Sequence, residues 1–350
     1  MNSRERVLMA LNHEEPDRIP IYNHLTPEVL NIIGKNTNTE GYDTEIAAGN
    51  EWLIYTVGIA GSFYLKDLDE YTDEWGIIWK RIPHEGGVYT EMVNHPLSDI
   101  KKYDSYKFPD PYDEEKYKGL YNVIKKYKKD YVIVGGIACT LHENAWYLRG
   151  LENWLIDLIE NKDFANDLLD KLTDFYLRCG ERLVEMGVDV IWTGDDFGMQ
   201  DRMFIRREQF VEFFKPRYAK IYSELRKKNK NILFAHHSDG YIEPIIEDFI
   251  EIGLDILNPV QPKCMDPVEI KKKYGGKLSF WGTVDNQYIL PFGTEKELYD
   301  ELTRLIRGVG PGGGYIMGSA HCIQPTQVHM KNLFKMVDFI KEHGKYPINI

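Results

Sequence analysis

The sequence predicts an α/β fold, a (β/α)8 barrel of the TIM type, formed as one domain over residues 1–350. Three observations carry this expectation. Short apolar runs alternate with amphipathic stretches along the chain, as parallel βαβ units require. The runs number seven or eight, enough to close a barrel. No Gly-x-Gly-x-x-Gly follows any of them, so the alternative open, doubly wound sheet lacks its phosphate-binding turn.

The strand-like runs are residues 18–23 (RIPIYN), 131–136 (YVIVGG), 189–194 (DVIWTG), 232–236 (ILFAH), 255–259 (DILNP), 278–282 (LSFWG) and 314–318 (GYIMG). An eighth falls within 52–58. Apolar residues at three- and four-residue spacing mark helices between them. These cover 154–158 running on through 168–183, then 210–225, 241–252, 295–306 and 328–343. Residues 73–96 break the rhythm. Two alternating runs flank Glu85-Gly86-Gly87, which reads as a β-hairpin inserted in the barrel. Residues 97–116 then form a surface connection to a helix at 117–129.

Bulk properties narrow the partners. A net charge of −12 argues against nucleic acid, which needs a clustered basic surface. The lysine runs at Lys125–Lys126 and Lys271–Lys273 lie beside acids on amphipathic stretches, as solvated helix faces do. No apolar run is long enough to span a bilayer, and the first residues show no signal-peptide pattern. Four widely spaced cysteines give no disulfide framework, which suits the cytoplasm.

Barrels of this type carry their active sites at the C-terminal ends of the strands. Polar residues gather there. Residues 131–136 lead to Cys139, His142, Glu143 and Trp146, while 189–194 contain Trp192 and lead to Asp195 and Asp196. The run at 232–236 ends in His236, His237 and Asp239, and 255–259 supply Asn258. Asp285 and Gln287 follow 278–282, and His321 and Cys322 follow 314–318. His237 and Asp239 are two apart, so an extended chain turns both to one side and His236 to the other. One of Asp195 and Asp196 is expected to cap a helix. The remaining polar residues point to an enzyme acting on a small molecule.

The same segments resemble the uroporphyrinogen decarboxylase superfamily over nearly the full length. The resemblance lies in SRERVLMALNHEEPDRIP, DEWGIIWKR, AWYLRGLENWLIDL, GDDFGMQ, HHSDG, FWGTVDNQYILPFGT and GGGYIMGSAHCIQPTQ. It implies a (β/α)8 barrel and one of two chemistries. These are cofactor-free decarboxylation of uroporphyrinogen, or zinc-dependent methyl transfer involving a corrinoid protein. Decarboxylases of the family carry an Arg-x-x-x-Arg after the first strand, yet this chain has no arginine between Arg18 and Arg81. A substrate with several carboxylates needs such guanidinium groups. The aspartate expected near the second strand is also missing from EWLIYTVGIAG.

The chain is therefore more similar to the methyltransferase branch. That resemblance implies zinc held by His237, Asp239 (where the branch has Cys) and Cys322, with a corrinoid protein as partner. Asp196, Glu143 and His321 are alternative replacement ligands, and Asp196 and His321 are expected to orient substrate or move protons. Glu143, Trp192, Asn258, Asp285 and Gln287 are the expected substrate contacts. Two alternatives stand beside it: a cofactor-free lyase of a small acid using Asp196 and His321, and a non-catalytic ligand-binding barrel.

Overall fold

A computed structural model describes residues 1–63, 68–84 and 87–350. Ten strands occur in chain order among them: β1 Trp52–Thr56, β2 Glu70–Thr72, β3 Ile78–His84, β4 Gly87–Met92, β5 Val132–Ala138, β6 Val190–Gly194, β7 Leu233–His237, β8 Ile256–Asn258, β9 Ser279–Trp281 and β10 Tyr315–Ile316. Seven form one parallel sheet ordered β1-β5-β6-β7-β8-β9-β10. Helices connect the neighbours from β5 to β10, as parallel pairing demands. Among the described residues no helix is long and apolar enough to cross a membrane.

Alternation along the strands separates two cores. Ile133, Ile191, Phe234, Leu257, Phe280 and Tyr315 pack outward with the helices. Their neighbours Val132, Val190, Ala235, Ile256, Trp281 and Ile316 face the opposite side, joined by Val7, Leu11, Tyr22 and Trp52. Both faces of the sheet are thus buried, which is why its strands read as nearly continuous apolar runs. The sheet curls, and residues 19–25 lie between its two edges. Glu51 N–H donates to the Ile21 carbonyl (2.9 Å) at the β1 side. At the β10 side Tyr22 N–H donates to Met317 (3.1 Å), and Met317 N–H donates to Pro20 (2.9 Å).

Three expectations need correction. Residues 18–23 form isolated bridges, Arg18 to Lys345 and Ile21 to Met317, rather than a strand. Pro20 has no N–H to give to a ladder, and a β-run containing Pro is demoted accordingly. The helix expected through 154–183 is two, Leu151–Glu160 and Lys162–Met186, which meet at the non-helical Asn161. The helix expected over 210–225 opens with a π-turn at Phe210–Phe214 before Lys215–Lys228. Pro216, which cannot donate to the preceding turn, lies just beyond that turn.

β2, β3 and β4 form a separate antiparallel sheet, with Trp79 opposite Met92 and Pro83 opposite Val88. Residues 85 and 86, where the hairpin turn is expected, fall outside the described residues.

The seam between residues 19–25 and the last strand leaves no room beside Gly318. A Cβ there would lie 1.7 Å from the Tyr22 carbonyl oxygen. Gly318→Ala is therefore expected to cost about 3 kcal/mol or more, at the upper end for overpacking. Gly276→Ala, with nothing within 4 Å of its added Cβ, should stay within about 0.5 kcal/mol. Urea unfolding of the two variants checks the contrast.

Candidate functional site

The loops after β6 and β7 cross backbone against backbone. A Cβ on Gly198 would meet the Asp239 carbonyl oxygen at 2.5 Å, and one on Gly240 would meet the Gly198 carbonyl carbon at 2.5 Å. Gly240 also has φ +81°, in the left-handed region that glycine tolerates. Tyr241 N–H closes the crossing on the Met199 carbonyl at 2.7 Å. Only glycines allow this approach, and it brings two acidic residues, Asp196 and Asp239, together.

The adjacent aspartates after β6 divide their roles. Asp195 is fully buried, and its carboxylate accepts the backbone N–H groups of Leu141 (3.0 Å), His142 (2.9 Å) and Glu143 (2.9 Å). The Tyr218 hydroxyl donates to it as well. It caps the helix His142–Arg149 from a neighbouring loop and fixes that helix over the strand ends. Burial pushes its pKa up to about 7, against the pull of these donors. Asp196 faces the mouth instead, with its side chain 44% exposed. Its Oδ1 accepts the Asp239 N–H at 2.8 Å. Loss of solvent and then repulsion from Asp239 raise its pKa.

His237 ends β7, and its Nδ1 lies 2.8 Å from Asn258 Oδ1. Asn258 is fully buried and spends its Nδ2 on the Trp281 carbonyl at 3.0 Å, so its oxygen faces the histidine. Nδ1 must then carry the proton, which leaves the Nε2 lone pair free. Nε2 lies 3.8 Å from Asp196 Oδ1 and 4.0 Å from Asp239 Oδ1. One ligand atom from each of Asp196, His237 and Asp239 fits within a mutual 4.8 Å. An imidazole nitrogen with two carboxylate oxygens is a donor set that suits a divalent metal. An amide oxygen behind the imidazole, as Asn258 supplies, is a usual support for such a ligand.

His321 approaches from the other side, its Nε2 3.6 Å from Asp239 Oδ2. Hydrogen bonding to Cys322, then the charges of Cys322, Asp239 and Asp196, push its pKa up to about 10. Its side chain is 55% exposed, so solvent screens part of that rise. Cys322 is half-buried beside His321, and its carbonyl accepts from Asn286 Nδ2 at 2.9 Å. The structure brings Asp196, not Cys322, into the group around His237 and Asp239.

Two cavities flank this group. One of about 280 Å³ is lined by Asp239, Gln261, Asp285, Gln287 and His321. There Asp285 is nearly buried and accepts the N–H groups of Gln287 (2.7 Å) and Tyr288 (3.1 Å), so its carboxylate orders the loop. The other, about 400 Å³, is lined by Glu143, Trp146, Asp196, Met199 and Phe204 among others. Glu143 accepts the Tyr147 hydroxyl at 2.8 Å, and burial with repulsion from Asp196 and Asp195 holds its pKa well above the usual carboxylate range. Trp192 lies below the group, edge-on to His237 at 5.8 Å.

Sequence reasoning passed over His24. Its ring lies between Trp192 (5.4 Å) and Trp281 (5.0 Å). Its Nε2 is buried without a partner, and burial followed by the nearby His237 and His321 lowers its pKa well below normal. The signal was its place at the end of the first apolar run, where chemistry is expected. His236 is buried away from the mouth, with Nδ1 2.9 Å from Thr193 Oγ1.

Residues 80–343 match the family model described as uroporphyrinogen decarboxylase (URO-D), and the chain belongs to that family. Among its relatives is a uroporphyrinogen decarboxylase of Rickettsia massiliae (strain Mtu5), 24% identical over 310 residues and covering 83% of this chain and 85% of that protein. The methylcobamide:CoM methyltransferase MtaA of Methanosarcina barkeri is 25% identical over 198 residues, covering 55% of each chain. A solved methyltransferase from Methanosarcina mazei superposes with a TM-score of 0.70 at 19% identity, over 98% of this chain and 99% of that one. It shares the fold from end to end.

The helix that Asp195 caps also buries His142, whose Nδ1 accepts from Trp154 Nε1 at 3.0 Å. Burial lowers its pKa to about 3. The unfolded chain, near 6.5, binds a proton first as pH falls, so this contribution is complete above pH 6.5 and is lost between there and about 3. The slope is at most about 1.4 kcal/mol per pH unit. In urea unfolding across pH 3–7, His142→Gln should be less pH-dependent than wild type by up to that slope.

Proposed function

We propose that this protein is a metal-dependent methyltransferase that moves a methyl group between a corrinoid protein and a small methylated substrate, a thiol or another acceptor. The carrying observation is His237, whose Asn258 contact leaves Nε2 free beside Asp196 and Asp239. The relation to MtaA, whose name states methylcobamide:CoM methyl transfer, supports this branch of the family. The end-to-end fold match to a methyltransferase agrees with it. The curled sheet, with residues 19–25 bridging its edges, reads as the (β/α)8 barrel common to this chemistry. Soluble activity in the cytoplasm fits four free cysteines.

Zinc would be held by His237, Asp239 and Asp196, with Cys322 beyond them next to His321. Bound there, zinc supplies Lewis acidity that activates a thiol or polarises a methyl-bearing heteroatom. The protein's own groups do the rest. Asn258 fixes the tautomer and plane of His237. The Asp239 N–H holds Asp196 Oδ1 in place. His321, protonated beside Asp239, is placed to hold or deliver a proton at the heteroatom that loses or gains the methyl.

The lyase alternative needs cationic groups to receive an acid. Neither cavity is lined by Lys or Arg among the described residues, and the cationic charge at the smaller one comes from His321 and from Lys263, 3.7 Å from Asp285. Decarboxylation of a multiply charged acid is correspondingly disfavoured.

Metal analysis of protein purified without added zinc tests the reading. About one metal per chain is expected, lost in His237→Ala and Asp239→Ala, and a metal-free wild type would remove the mechanism. Asn258→Ala touches no metal itself, yet should weaken zinc affinity about 10–100-fold in a chelator competition.

A further inference from the structure

We propose that Gln261 determines the substrate class of this site, its side-chain amide holding a hydroxyl of an uncharged, polyhydroxylated substrate in the cavity of about 280 Å³. The inference rests on the methyltransferase reading for the reacting end of that molecule and names its chemical class. Its first ground is the lining. Gln200, Gln261, Asn286 and Gln287 bring four carboxamides to one cavity from the loops after β6, β8 and β9. Among the described residues no phenyl or indole ring lines it, and no aliphatic side chain larger than that of Pro262. Trp146, Leu151, Met199 and Phe204 wall the other cavity instead.

The second ground is how these amides are held. Gln261 Oε1 accepts the Gly240 N–H at 2.8 Å, at the crossing of the two loops. A backbone N–H needs an oxygen, so this contact fixes which end of the amide is which. The Gln261 carbonyl accepts the N–H groups of Cys264 and Met265, both at 2.9 Å, which anchors its backbone as well. Nothing among the described residues accepts from Nε2, so Gln261 offers a pair of donors from the cavity wall. Gln200 is oriented alike, its Oε1 accepting from Gln287 Nε2 (3.5 Å) and the Cys264 thiol (3.7 Å). Gln287 thereby keeps its Oε1 as an acceptor. Asn286 is spent: its Nδ2 donates to the Cys322 carbonyl at 2.9 Å, and His329 Nε2 donates to its Oδ1 at 3.0 Å.

The third ground is charge. Asp285 accepts the N–H groups of Gln287 and Tyr288 and lies 3.7 Å from Lys263 Nζ. Asp239 faces His321 at 3.6 Å and belongs to the metal group. An ammonium therefore meets no free carboxylate here, and a carboxylate meets cations that are already paired. Donors and acceptors side by side suit hydroxyl groups, which both give and take hydrogen bonds. A carboxylate only accepts, and an ammonium only donates. Because Asp239 lines this cavity, a substrate anchored on Gln261 has its reacting end beside the proposed zinc position.

Calorimetric titration of the full-length protein at pH 8 decides the matter with three probes. These are 3-O-methyl-D-glucose, the anion D-glucuronate, and cyclohexyl methyl ether, an uncharged ring without hydroxyls. The methylated sugar should bind about tenfold or more tightly than either of the others, as several neutral hydrogen bonds provide. Gln261→Glu still accepts the Gly240 N–H but donates nothing as a carboxylate. It should keep the wild-type urea midpoint and metal content, yet weaken the sugar about two- to tenfold, the worth of one neutral hydrogen bond. Gln261→Met loses both contacts and should lower the urea midpoint too. Unchanged sugar binding in folded Gln261→Glu would overturn the proposal and leave Gln261 as a strut for Gly240. Tighter binding of glucuronate or of the ether, or no binding of the sugar, would also overturn it. The wild-type comparison stands alone if a variant does not fold. Sugar preference without metal would keep this inference and sink the methyltransferase reading, whereas metal without that preference would do the reverse.

Discussion

The crossing of two loops at Gly198 and Gly240 is the contact on which the site depends. Neighbouring parallel strands deliver their following loops side by side, but side chains normally keep the backbones apart. In this chain two glycines remove that spacing, and one consequence is the hydrogen bond from Asp239 N–H to Asp196 Oδ1. Two acids are thereby held close in a partly dry mouth, an arrangement costly in isolation. A cation between them converts the cost into binding strength. His321, 3.6 Å from Asp239, meets part of that cost from the protein's own side chains.

Support for this arrangement extends downward and sideways. Below it, the rings of His24, Trp192 and Trp281 pack against one another on the inner face of the curled sheet. Beside it, Asn258 fixes the imidazole of His237 and is itself held by the Trp281 carbonyl. Asp195 binds the helix His142–Arg149, which follows the neighbouring strand β5, to the same level through its N-terminal N–H groups. His237 and the helix His142–Arg149 are thus each oriented by a buried partner, as a site needing fixed geometry requires.

Much of this was legible in the sequence. β5 and β7 show as apolar runs because both faces of a parallel sheet are buried. The two-residue spacing of His237 and Asp239 follows from strand geometry. The family resemblance implies Cys322 beside His237 and Asp239, with Asp196 among the possible replacements. The structure brings Asp196 close to that pair, through a crossing that depends on glycines distant in sequence. Asp195 and Asp196 are indistinguishable as letters, and only burial assigns one to a helix cap. The irregular course of residues 18–23 reflects Pro20, which the apolar pattern around it conceals.

If Asp196, His237 and Asp239 hold the metal, its ligand atoms contain no sulfur. Zinc K-edge X-ray absorption on the isolated protein tests this most directly. The expected spectrum shows nitrogen and oxygen ligands only, at about 2.0–2.2 Å with one imidazole, and no sulfur at about 2.3 Å. A sulfur contribution that disappears in Cys322→Ala would contradict that ligand set and put the thiol in the place of Asp196.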